Sequence, residues 1–63
     1  MPTNKNANEV HVGWIWQAGH GSQYEYEILS IDEEMELRRL SDGVKVKRYI
    51  GQVTGFGRTY QPK

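Results

Sequence analysis

The chain has no cysteine, which excludes disulfide bridges and thiolate zinc sites. It has only two histidines, so no structural metal and no cofactor is expected. No apolar run approaches the roughly 18 residues of a membrane span. The N-terminus lacks the apolar centre of a secretory signal, so a soluble, cytoplasmic protein without a membrane partner is expected. Repeats and a second-domain linker are also lacking. Sixty-three residues allow one domain. A chain of this size buries only about 60% of its extended surface, so its stability is marginal. An economical barrel or oligomerisation remains as a source of stability.

What is present is sorted charge and a run of β-prone segments. Formal net charge is zero. Before Leu37, one base (Lys5) stands against seven acids, a net of −6; from Leu37 on, seven bases stand against Asp42, a net of +6. One explanation is that acidic and basic strands pair and neutralise each other. The other is a dipolar surface whose basic side meets an anionic partner.

Residues 24–50 read as a three-stranded meander around which the rest is arranged. Three apolar runs, 24–31, 35–40 and 44–50, are separated by polar turns at 32–34 and 41–43. Asp42-Gly43 favours a two-residue type I′ hairpin, since Gly and to a lesser degree Asp tolerate positive φ. That turn sets Ser41 against Val44, Arg39 against Val46, Leu37 against Arg48 and Met35 against Ile50. A three-residue first turn sets Ile31 against Met35, Leu29 against Leu37 and Glu27 against Arg39. Leu29, Ile31, Met35, Leu37, Val44, Val46 and Ile50 then share a core face. Glu27, Arg39 and Arg48 form an ion-paired rim. The rival reading coils residues 32–40 into a helix capped by Asp32, with acids preceding bases.

The flanks complete the sheet. Residues 1–9 are expected to form a polar, flexible tail, 10–60 the folded domain and 61–63 a C-terminal tail. Residues 10–17 alternate, with Val10, Val12, Trp14 and Trp16 on one side, as core or as part of a binding groove. A flexible glycine-bearing loop follows at 18–23. A short 3₁₀ turn is expected near 51–55, with a last short strand near 56–60.

The same register turns Tyr24, Tyr26, Ile28, Arg38, Leu40, Lys45, Lys47 and Tyr49 outward. Aromatic rings beside lysines suit stacking on unpaired bases and neutralisation of phosphates. The same residue types also serve a protein contact, a second subunit or a solvated face.

Five short strands, Gly13-Trp14-Ile15-Trp16, Tyr26-Glu27-Ile28-Leu29 and Leu40-Ser41-Asp42-Gly43 leading into Val44 resemble an SH3-like barrel. Within that class the chain is most similar to Tudor-type modules and to short SH3-like proteins of phages and mobile elements. The resemblance implies an all-β fold, a small five-stranded SH3-like barrel with the meander at its centre. Tudor modules hold methylated side chains in an aromatic cage, for which Trp14, Trp16, Tyr24 and Tyr26 match by residue type. The Ala-Leu-Tyr-Asp-Tyr signature of proline-peptide-binding SH3 domains is absent.

Catalytic chemistry has little in the sequence to carry it. Ser22, Ser30 and Ser41 lack a recognisable base, and no carboxylate pair is set apart. The expectation is a non-enzymatic binding module whose contact residues are Tyr24, Tyr26, Arg38, Lys45, Lys47 and Tyr49. The expected partner is a protein or a second copy of the chain; single-stranded nucleic acid is the alternative.

Overall fold

A computed structural model describes residues 7–62 of the chain. Positions 1–6 of the expected N-terminal tail lie outside the described residues. The protein is mostly β. Strands β1 (Ile15–Gln17), β2 (Glu25–Ser30), β3 (Glu34–Arg39), β4 (Lys45–Tyr49) and β5 (Arg58–Tyr60) form one antiparallel sheet. A 3₁₀ turn at Ser22–Tyr24 precedes β2, and helix α1 (Ile50–Gly55) joins β4 to β5. The strand order is β4-β3-β2-β1-β5. The sheet is not closed: β4 and β5 are its two edges, and α1 carries the chain from one to the other.

The meander is present, and the rival helix over 32–40 is overturned by β3. Acids and bases in β3 alternate with Met35 and Leu37, and both apolar side chains are fully buried. That period-two pattern buries one face of a strand but would scatter around a helix.

The β3–β4 hairpin, second of the meander, differs from expectation at its turn. Leu37 faces Val46 and Met35 faces Arg48, two residues out of the expected register. The loop holds four residues, 40–43, closed by Arg39 N–H to Val44 C=O at 2.8 Å and Gly43 N–H to Arg39 C=O at 2.7 Å. A type I′ turn needs positive φ at Asp42, yet only glycines adopt it here. Instead the Asp42 carboxylate accepts the Val44 N–H and both Nε and Nη2 of Arg39, anchoring the wider loop. A shift of two preserves which face each side chain takes.

The first hairpin differs more. Near its turn, Ser30 faces Glu36, the expected register; beyond an irregularity at Leu29, Ile28 faces Leu37 and Tyr26 faces Arg39. Leu29 is the extra residue of a β-bulge, and the bulge reverses the faces of everything before it. Tyr26 and Ile28, expected outside, are therefore core, while Ile31 is exposed.

The core comprises Trp16, Tyr26, Ile28, Met35, Leu37 and Val53, with Val10, Trp14, Val46 and Ile50 packed against it. Trp16 and Tyr26 stack at 5.4 Å between ring centroids. The Trp16 indole N–H donates to Phe56 C=O at 2.8 Å, which meets the polar requirement of a buried indole. Ile50 and Val53, three apart in α1, cover the core face. The expected 3₁₀ turn is thus a six-residue α-helix. The first strand is shorter than expected. It begins only at Ile15, because Gly13, at φ +93, breaks the run and leaves Val12 exposed.

The segment before β1 is tied to the far end of the chain. Asn8 N–H donates to Thr54 C=O, and its side-chain amide donates to Val53 C=O and Phe56 C=O at 2.8 and 2.9 Å. The amide satisfies carbonyls at the end of α1 that have no helical partner. Thr59 Oγ1 donates to Glu9 C=O at 2.6 Å.

Candidate binding surface

The sheet face away from the core is built from alternate residues of each strand. β3 contributes Glu34, Glu36 and Arg38, and β4 contributes Lys45, Lys47 and Tyr49. Their register pairs Arg38 with Lys45, Glu36 with Lys47 and Glu34 with Tyr49. β2 adds Glu27 opposite Arg38.

Four of the six expected contact residues therefore share this face: Arg38, Lys45, Lys47 and Tyr49. Tyr26 does not. It is 7% exposed, on the core face, because of the bulge. Tyr24 closes the 3₁₀ turn before β2, with its ring 3.4 Å from where a β-carbon on Gly19 would stand. It lies on the loop that joins β1 to β2, apart from the β3–β4 face. Trp16 is core and Trp14 is half-buried beside His11, with rings 4.4 Å apart. No aromatic cage of Trp14, Trp16, Tyr24 and Tyr26 is formed, since Trp16 and Tyr26 are both enclosed.

Charge on the face divides into used and unused groups. Arg38 is bound to Glu27, the pairing expected instead for Arg39. Arg39 is bound to Asp42. The Asp42 hydrogen bond, with its charge, raises the Arg39 guanidinium above its ordinary value. Reciprocally, the Arg39 hydrogen bond and then the Val44 N–H hold the Asp42 carboxyl below its ordinary value. Lys45, Lys47 and Arg48 have no carboxylate within 4.0 Å among the described residues. Tyr49, beside Lys47 on the outer face, is 65% exposed.

Arg48 was expected at a barrel rim. It belongs instead to the β4 edge, where its Nη1 donates to Lys47 C=O at 2.8 Å. Its place follows from the open sheet, in which β4 is an edge strand rather than part of a closed rim.

No protein-family profile, curated protein or solved structure matches the chain. Geometry alone carries the functional argument. Among the described residues no three His, Asp or Glu side chains cluster as a metal site. No helix among them is long and apolar enough to cross a membrane. An open hollow of about 410 Å³ lies beside β5, lined by Gln17, Ala18, Gly19, His20, Gly57 and Arg58. Arg58 Nε there donates to Gln17 Oε1 at 2.8 Å, which holds the guanidinium against β1.

Proposed function

We propose that this chain is a non-enzymatic, SH3-like binding module that holds an acidic protein partner against the β3–β4 face. The SH3-like reading is supported by five short antiparallel strands, the glycine-bearing loop after β1 and the helical turn before β5. The binding reading rests on one observation. Lys45 and Lys47, without a carboxylate within 4.0 Å, share the outer face of β4 with the exposed ring of Tyr49, while Arg38 and Arg39 are neutralised. Desolvated lysines need an anionic partner, and an exposed tyrosine supplies rigid contact area.

Glu34 and Glu36 sit directly across from Tyr49 and Lys47. They repel a continuous phosphate backbone, whereas a protein can place separate carboxylates over the lysines alone. Self-pairing of two β4 edges about a two-fold axis sets lysines against lysines, which opposes a second copy as partner. Single-stranded nucleic acid remains the second reading, favoured by Tyr49 as a stacking platform between basic side chains.

Amide chemical shifts of the labelled protein, titrated with a glutamate-rich peptide and with an oligothymidine, test this. The peptide should move Lys45, Lys47 and Tyr49, and K45E/K47E should abolish the shifts. Tighter binding of the oligothymidine, lost steeply as salt rises, transfers the surface to nucleic acid. No shift with either probe removes both readings.

A further inference from the structure

The β4 edge has a particular pattern of open backbone groups. Arg39 N–H to Val44 C=O and Ile50 N–H to Glu33 C=O bracket the β3–β4 ladder at its two ends. The register between them is unbroken. Narrow and wide pairs alternate in an antiparallel ladder. Residues 44, 46, 48 and 50 therefore bond to β3, and the N–H and C=O of Lys45, Lys47 and Tyr49 point away from the sheet. Three of these six groups are already engaged: Lys47 C=O by Arg48 Nη1 at 2.8 Å, Tyr49 N–H by Gln52 Oε1 at 3.3 Å, and Tyr49 C=O, as the cap of α1, by the first turn of that helix. Both N–H and C=O of Lys45 and the Lys47 N–H are free among the described residues.

Side chains at this edge ask for a specific neighbour. Lys45 and Lys47 project from the outer face without carboxylates. On the core face, Val44 is 45% exposed and Val46 half-buried. A strand laid along β4 places carboxylates beside the lysines and apolar groups beside the valines, alternating at period two.

We propose that β4 accepts an extended segment of a partner protein as an added strand, with acidic residues alternating with apolar ones. Main-chain bonds to Lys45 and Lys47 supply affinity, and the alternation supplies specificity. This rests on the binding reading above but adds the mode and the partner's sequence character. The existing bonds from Arg48 and Gln52 shield part of the edge and are displaced or shared when the strand docks.

The test uses a synthetic peptide of alternating valine and glutamate. Two derivatives are compared with it, N-methylated on the alternate set of residues that faces β4 or on the set that faces away. The parent peptide should bind and slow hydrogen exchange at the Lys45 and Lys47 amides. Methylation of the facing set should weaken binding about tenfold or more, since methyl groups between the two backbones keep the ladder from forming. Methylation of the other set should leave binding unchanged. Equal binding of both derivatives, with no new amide protection, overturns strand addition while leaving an acidic partner on the face. No binding of the parent peptide overturns both.

Discussion

Gly57 and Gly43 both have positive φ, at +63° and +75°, but their surroundings differ. A β-carbon on Gly57 would stand 2.1 Å from the Gln17 carbonyl oxygen, a rigid backbone atom of β1; at Gly43 nothing lies within 4 Å. Gly57→Ala should therefore push β5 off β1 and cost about 3 kcal/mol or more. Gly43→Asn should cost about 1 kcal/mol or less, because Asn tolerates the left-handed region. Urea midpoints of the two variants check the contrast. The Arg39–Asp42 pair sets a pH dependence. Asp42 titrates lower in the fold than in the unfolded chain, so its contribution is present above its ordinary value and fades as pH falls through the folded one. Asp42→Asn should flatten the acid limb of a melting-temperature profile below about pH 4. An unchanged acid slope in that variant would show that other carboxylates set it.

At the scale of the element, β2 is the instructive strand. Its bulge at Leu29 is a surplus residue in an otherwise continuous ladder. Deleting Leu29 should let Ser30 follow Ile28 with every face preserved, at a cost of about 1–2 kcal/mol for the lost half-buried side chain. Deleting Glu36 from regular β3 should turn Met35 outward and unfold the protein. Amide spectra of the two deletions distinguish the cases. The faces of β3 and β4 were legible because charged and apolar residues alternate there without interruption. Those of β2 were not, because Tyr26 and Ile28 keep one phase while Leu29 and Ile31 keep the other. The adjacent pair Ile28-Leu29 marks the change of phase and is the signal of a bulge. Tyr26 was misplaced with the contact surface for that reason. Arg38, Lys45, Lys47 and Tyr49 were grouped together because alternation within β3 and β4 survives a two-residue shift.

Across the whole molecule, small size governs how errors are tolerated. Stability of about 0.05–0.15 kcal/mol per residue leaves only a few kcal/mol in total. Leu37 is fully buried at the centre of the core, and Leu37→Ala costs about 2–5 kcal/mol. Circular dichroism should find that variant largely unfolded at ambient temperature. A partner that binds only the folded form should restore its structure as concentration rises. The division of charge along the chain is partly reconciled by strand pairing, with Glu27 bound to Arg38 and Glu36 across from Lys47. Lys45, Lys47, Arg48 and Arg58 have no carboxylate within 4.0 Å among the described residues.

Asn8 meets Val53, Thr54 and Phe56, Glu9 meets Thr59, and β1 pairs with β5. The meander from β2 to β4 pairs neighbours in sequence across short turns. The stitches between the two flanks instead close loops of 45 and 50 residues, so they carry the larger entropic cost of folding.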